Sequence, residues 1–186
     1  MNIPLTYGFV GALLGALQTL VLFFLGIHGE RIHLMNDWKF TVPLGIVGFA
    51  IGVIVQVLGM RAARNAAGEQ GMSYGRGVGV GCLIGLWQGL ATMAFMIVYG
   101  FVINPGFKDA MIAGQLAKMQ EQNMPAEAYA MAEKMMGFML NPAVQGVMAL
   151  FGAIFMALII ALIAAAFLRR APAASGLAAG NPPALG

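Results

Sequence analysis

A glycine ladder runs through the segment Gly77-Val78-Gly79-Val80-Gly81-Cys82-Leu83-Ile84-Gly85-Leu86-Trp87-Gln88-Gly89. Residues four apart lie on one face of a helix, so every fourth residue from Gly77 to Gly89 would form one narrow face. The apolar sequence continues to Ile103, which makes it longer than the roughly 20 residues that a helix needs to cross a bilayer. The segment therefore predicts a transmembrane helix that another helix backbone can approach closely.

Three other stretches have a similar length and apolar character. The four predicted spans cover residues 5–27, 42–60, 77–103 and 143–168, and all ten Lys and Arg and all seven Asp and Glu residues lie outside them. Because a charge at mid-bilayer costs about 2.5–3.5 kcal/mol on insertion scales, this separation predicts an all-α membrane protein with four transmembrane helices. The composition agrees, since 60% of the 186 residues are hydrophobic and 9% are charged.

A second ladder of small residues lies in the fourth span, where alanines recur at every fourth position. The residues expected to pack the third and fourth spans together are Gly77, Gly81, Gly85, Gly89, Ala149, Ala153, Ala157 and Ala161. Lipid supplies no hydrophobic drive between helices, so their association depends on short-range dispersion, which small side chains permit. We expect an intimate contact between these two spans.

The segment 104–142 separates the third and fourth spans. Asn104-Pro105 predicts the end of one helix and Asn141-Pro142 the start of the next, because proline fits the first turn of a helix but not its interior. Two helical segments are predicted between them, at 107–122 and 125–140. The second is amphipathic, with an apolar arc formed by Tyr129, Met131, Ala132, Met135, Met136 and Met139. We interpret this arc as interfacial, and Trp38, which precedes the second span, as an interfacial anchor.

The basic residues predict the orientation of the spans. Four spans place both termini on the same side of the membrane. That side carries five basic residues, Arg61, Arg64, Arg76, Arg169 and Arg170. The opposite side also carries five, Arg31, Lys39, Lys108, Lys118 and Lys134. The two sets are equal in number, but the arginines are denser and adjoin the spans. We therefore expect both termini in the cytoplasm and the amphipathic insert on the periplasmic side. Residues 1–170 then form one transmembrane domain, and the uncharged sequence 171–186 a flexible cytoplasmic tail.

Three polar residues within the spans form a candidate intramembrane site. Gln18 and Gln88 occupy similar positions in the similar sequences 11–18 and 81–88, and Thr92 lies one turn beyond Gln88. One interpretation is a site for a small neutral solute in a channel or carrier. The other is structural, with each amide forming an interhelical hydrogen bond worth about 0.6–2 kcal/mol. The structural interpretation is the simpler one, and the sequence leaves both open.

Residues for other chemistry are sparse. No catalytic motif is present, both histidines lie in one loop, and the single Cys82 excludes an internal disulfide. A net charge of +3 is too dilute for a nucleic-acid-binding surface. A periplasmic Cu(I) site formed by Met131, Met135 and Met139 with the two histidines, His28 and His33, is an alternative, since thioethers favour that soft ion. Amphipathicity alone also explains these methionines.

The order of these features resembles a known family of bacterial membrane proteins. A span ending in basic residues is followed by Gly71-Met72-Ser73-Tyr74-Gly75, the glycine-rich span, an Asn-Pro stop, the Met-rich insert and a last span ending at Arg169-Arg170. This layout, from Pro4 to Arg170, is similar to the family catalogued as domain of unknown function 4199. The resemblance implies a bacterial inner-membrane location and supplies no site residues.

These features together lead to one expectation about function. We expect a non-enzymatic protein of the bacterial cytoplasmic membrane, without a cofactor, whose specific role the sequence does not state. Its partners would be the lipid bilayer and either further copies of itself or other membrane subunits, so that it serves as a packing or accessory component of a membrane assembly. The neutral-solute channel and the Cu(I) binder are the alternatives.

Overall fold

The computed structural model describes residues 2–169, which form six helices. α1 spans Ile3–Phe24, α2 Trp38–Ala66, α3 Tyr74–Val98, α4 Phe107–Glu121, α5 Ala126–Met139 and α6 Pro142–Leu168. A π-helical turn at Tyr99–Ile103 continues α3, and 3-10 turns lie at Ile32–Asn36 and Gly68–Gln70. α1, α2, α3 with its π-helical turn, and α6 are each long and apolar enough to cross a membrane. The all-helical class with four such helices is therefore confirmed, and the tail expected to be flexible at 171–186 lies outside the described residues.

Capping residues explain where the long helices begin and end. Asn2, Asp37, Ser73 and Asn141 each accept a hydrogen bond from a backbone N–H in the first turn of the helix that follows. α1 ends at Phe24, three residues before the predicted end of the span, because Gly26 adopts a φ of +74°. Glycine reaches this left-handed conformation without a Cβ clash, and it closes the helix in the usual glycine C-cap arrangement.

α3 is the central helix of the bundle. It packs along both α1 and α6, and the C-terminal half of α2 completes the core. The largest buried cluster comprises Met60, Met72, Ile84, Ala161, Ala164, Ala165 and Leu168. Four arginines, Arg61, Arg64, Arg76 and Arg169, belong to the same end of the bundle, where α2 and α6 finish and α3 starts. We call this the arginine end, and we call the opposite end, which carries α4 and α5, the insert end.

The two small-residue ladders face each other between α3 and α6. A Cβ atom added to Gly77 would lie 3.1 Å from the Cβ of Ala165, and Cβ atoms added to Gly81 and Gly85 would overlap those of Ala161 and Ala157. The same antiparallel register returns at the insert end, where a Cβ added to Gly100 would overlap the ring of Pro142. Between Gly85 and Gly100 the residues of α6 that face the α3 glycines depart from this register. Gly89 meets Leu150, while Ala153 presents its carbonyl oxygen to Gly85 and Ala149 is not among the nearest neighbours of any ladder glycine.

This contact predicts different costs for two glycine substitutions in α3. Gly85→Ala places a methyl group on top of the Ala157 side chain and should lower the stability by about 1–3 kcal/mol, the usual range for overpacking. Gly79→Ala should be neutral or stabilising, because nothing lies within 4 Å of an added Cβ and alanine is the better helix former. Thermal unfolding in detergent measures both. Adding Ala157→Gly should restore much of the loss in Gly85→Ala, and equal effects of the two single variants would contradict the packing.

Candidate functional site

The three polar residues expected to form an intramembrane site each lie at or near a contact between helices. Gln18 lies between α1 and α2, where its Nε2 donates to the carbonyl oxygen of Leu44 at 3.3 Å. Gln88 lies where α1 meets α3, and a Cβ added to Gly11 would be only 2.9 Å from its Oε1. The contact between α1 and α3 is therefore closely packed at this level. Thr92 is partly buried one turn further along α3.

A different glutamine, Gln56, occupies the centre of the bundle. It is 3% exposed, and its Nε2 donates to the carbonyl oxygen of Ala157 at 2.6 Å, which joins α2 to the α3–α6 contact. Gln56 and Gln88 both line a cavity of about 160 Å³ between α2 and α6. An apolar cavity of about 450 Å³ adjoins it towards the arginine end, and Phe49 and Met156 line both. Gly48 lines the 160 Å³ cavity as well, and a Cβ added to it would be 3.1 Å from Gln18 Oε1, so Gln18 lies close to the cavity that Gln56 and Gln88 line.

A hydrogen-bonded cluster joins the first loop, residues 25–37 between α1 and α2, to the end of α3. His28 is 6% exposed, and its Nδ1 lies 2.6 Å from the hydroxyl of Tyr99. Asn104 donates through Nδ2 to the Tyr99 hydroxyl at 3.1 Å and to the His28 carbonyl oxygen at 3.0 Å. Gly26 positions His28 by ending α1, and the π-helical turn positions Asn104, whose N–H donates to the Tyr99 carbonyl at 2.7 Å. We call these three residues the His28 cluster.

Hydrogen bonding in the His28 cluster assigns the protonation of the imidazole. The Tyr99 oxygen accepts from Asn104, and within residues 2–169 His28 Nδ1 is the only acceptor at hydrogen-bond distance from the Tyr99 hydroxyl, so the O–H donates to that nitrogen. Burial lowers the pKa of His28, which lies outside the spans, below its ordinary value of 6.5, because desolvation disfavours the charged ring. The ring is therefore neutral near pH 7 and carries its proton on Nε2. For this N–H the described residues 2–169 supply no acceptor.

A cavity of about 550 Å³ lies beside the His28 cluster at the insert end, and we call it the insert cavity. Its walls come from α1, the first loop, α3, α4, the end of α5 and α6. The lining residues are Thr19, Leu22, His28, Met35, Met96, Tyr99, Phe107, Met111, Met139, Leu140, Gln145 and Met148. Most of this wall is apolar, and a few polar groups interrupt it, which is the usual composition of a small-molecule site.

The first loop holds α4 over the insert cavity. Gln115 Nε2 donates to Asn36 Oδ1, and Lys118 Nζ donates to the Asn36 carbonyl oxygen, both at 2.6 Å. Gly114 allows the approach, since a Cβ there would lie 3.2 Å from Asn36 Nδ2. Phe107, at the start of α4, packs against His28 with ring centroids 4.8 Å apart. One helix of the insert is therefore fixed to the transmembrane bundle through specific polar contacts.

The methionines and histidines that suggested a Cu(I) site differ in their surroundings. Met131, Met135 and Met139 are 71%, 55% and 53% exposed on α5, and Met139 also lines the insert cavity with His28. His33 is exposed in the first loop. Within residues 2–169, no three His, Cys, Asp or Glu side chains come together as a metal site. Trp38, expected as an interfacial anchor, is 69% exposed at the first position of α2.

The comparison with known proteins agrees with the helical layout. The family model described as a protein of unknown function, DUF4199, matches residues 6–170. The chain belongs to the DUF4199 family. No curated protein and no solved structure shows significant similarity to it.

The sequence of this DUF4199 protein did not predict the His28 cluster. In the sequence, His28 and His33 are two similar residues of one loop, yet only His28 is buried. Two local signals were available, namely the C-capping glycine just before His28 and the tyrosine five residues before Asn104. Neither signal shows that the two segments meet, because 71 residues separate His28 from Tyr99.

The buried, neutral His28 predicts how stability depends on pH. Its pKa is lower in the folded protein than in the unfolded chain, so the unfolded chain binds the proton more readily. The stabilisation is complete above the unfolded pKa of about 6.5 and is lost as the pH falls through that value towards the folded pKa. The melting temperature in detergent should therefore fall between pH 7 and pH 5. His28→Gln should flatten this part of the profile, whereas His33→Gln should leave it unchanged. A fall that persists in His28→Gln would assign the effect to other groups.

Proposed function

We propose that this DUF4199 protein is a non-enzymatic subunit of a larger assembly in the bacterial cytoplasmic membrane, with both termini in the cytoplasm and α5 as its docking helix on the periplasmic side. One observation carries the proposal. Three large apolar side chains of α5, Met131, Met135 and Phe138, are 71%, 55% and 67% exposed. We call them the α5 strip.

The α5 strip has no partner within residues 2–169. α4 is tied to the first loop and α5 runs beside α4, while α5 makes only a small contact with α6. No residue of α5 is buried. Thioether side chains are flexible and polarizable, so a methionine surface adapts readily to another protein. The strip is therefore a surface that packing within this chain does not require.

The charges of the insert favour a protein partner over the lipid surface. Helices that bind membranes electrostatically carry Lys and Arg on their polar face. Residues 107–140 contain three lysines and four carboxylates, and one of the lysines, Lys118, already donates to Asn36. The occupant that fits is an apolar patch with a basic rim on the periplasmic side of another membrane subunit.

The ladders do not provide a second docking face. Gly77, Gly81 and Gly85 are buried against α6, so their narrow surfaces serve contacts within the chain. The neutral-solute alternative would use the cavity that Gln88 lines near Gln18, and its volume of about 160 Å³ is below the roughly 300–1,000 Å³ of small-molecule pockets. The accessory role is therefore the better supported of the two.

A photo-crosslinking amino acid at position 135 tests the docking helix. Irradiation of intact cells should give one discrete protein adduct, because the side chain of Met135 lies in the proposed interface. The matched control is position 133, where Glu133 is also exposed but lies on the other side of α5, and it should give no such adduct. The substitution Met131→Glu should reduce the adduct at position 135 at least fivefold and leave the melting temperature unchanged. Lipid adducts alone, or equal protein adducts from both positions, would refute the docking role.

Cysteine labelling tests the proposed orientation. In a Cys82→Ala background, a cysteine replaces either Gln120 at the insert end or Ser73 at the arginine end, both of which are exposed. A membrane-impermeant maleimide should label position 120 in intact cells and position 73 only after permeabilisation. The density of arginines at one end is the physical reason. The reverse labelling pattern would show that the insert lies in the cytoplasm.

A further inference from the structure

We propose that the insert cavity is a binding site for a neutral, largely apolar molecule that carries a hydrogen-bond-accepting carbonyl oxygen. The site is independent of the α5 strip, since only Met139 at the end of α5, together with Leu140, contributes to its wall. Its volume of about 550 Å³ lies within the roughly 300–1,000 Å³ of small-molecule pockets.

The polar groups of the insert cavity define what it would recognise. The Nε2–H of His28 is a donor whose direction is set by the Tyr99 hydroxyl on the opposite ring nitrogen. Gln145 lines the same cavity, and no other side chain of residues 2–169 holds its amide by a hydrogen bond. A carbonyl oxygen accepts from N–H donors of both kinds, whereas the five methionines, Phe107 and the two leucines provide an apolar surface for the remainder of the molecule.

The same groups disfavour a cation. None of the twelve residues lining the insert cavity is a carboxylate or a thiol, so a bound cation would lack a compensating negative charge. A metal ion on His28 Nε2 would require the proton to move to Nδ1. The Tyr99 oxygen would then accept from both Nδ1 and Asn104, and its own proton would lose the acceptor that it has now. The neutral ligand keeps every hydrogen bond of the His28 cluster.

The position of the insert cavity indicates how such a molecule would reach it. The cavity lies at the insert end, where Leu22 belongs to the last turn of α1 and Pro142 starts α6. This is the level at which the apolar spans give way to the polar first loop and α4. Amphiphilic molecules collect at this depth of a bilayer, with the polar group outward and the apolar body inward. The occupant is therefore expected from the membrane phase.

Photolabelling with benzophenone tests the site, because this probe is neutral, apolar and carries one carbonyl group. The full-length protein in detergent is irradiated with increasing probe, and the adducts are mapped by mass spectrometry. Labelling of Met35, Met96 and Met111, which line the cavity and are partly buried, should saturate and should be displaced by fluorenone, a second neutral ketone. Met131 and Met135 lie outside the cavity and report non-specific labelling within the same molecule.

Two substitutions separate recognition from folding. Gln145→Leu keeps the approximate shape and breaks no side-chain hydrogen bond within residues 2–169, so the half-saturating probe concentration should rise about three- to tenfold, the loss expected for one hydrogen bond. Gln120→Leu is the matched control on the exposed side of α4 and should have no effect. Neither substitution lies on α5, so crosslinking at position 135 should persist in both.

Three outcomes would overturn the proposal. The first is labelling of the cavity methionines that rises linearly with probe, as it should at Met131. The second is an unchanged half-saturating concentration in Gln145→Leu. The third is stoichiometric binding of Ag(I) that weakens at least tenfold in Met96→Leu, together with no saturable ketone labelling, which would make the cavity a soft-metal site.

Discussion

The close approach of α3 and α6 is the constraint on which the rest of the bundle depends. Dispersion falls steeply with distance, and helices in lipid have no hydrophobic drive to compensate for a gap. The two backbones come together along most of their length because glycines of α3 or its π-helical turn face alanine or proline on α6. These pairs run from Gly77–Ala165 to Gly100–Pro142. With this pair fixed, α1 packs on the other side of α3 and α2 completes the core at the arginine end.

Polar groups inside the bundle are arranged around that contact. In hydrocarbon an unsatisfied amide is costly, so Gln18 and Gln56 donate to backbone carbonyl oxygens of neighbouring helices. At the insert end, the Tyr99 hydroxyl bonds to the ring of His28, which burial keeps neutral, and Asn104 donates to the His28 carbonyl oxygen. The largest buried apolar cluster lies towards the arginine end, whereas the insert end combines a cavity with the hydrogen-bonding groups of the His28 cluster. This difference places the proposed ligand site and the proposed docking helix at the same end of the molecule.

Much of the local structure was predictable from individual residues. The charge-free stretches gave four long helices, and the Asn-Pro pairs marked the end of α3 and the start of α6, although α3 runs through a π-helical turn before Asn104. Gly26 shortened α1 relative to the expected span, because a left-handed glycine ends a helix even where the sequence remains apolar. The candidate site of Gln18, Gln88 and Thr92 stays a prediction, since similar positions along two helices say nothing about the faces that meet.

Sequence alone determined which segments are helical, which of them suit a bilayer, and that the chain is a DUF4199 protein, because hydropathy, spacing and capping act over a few residues. Only the tertiary structure decided that Gln56 bonds to Ala157, that His28 is buried while His33 is exposed, and that five methionines surround one cavity. Those outcomes depend on how helices are rotated and paired across long stretches of chain. The energies that set rotation and pairing come from contacts between residues distant in sequence, which no local pattern records.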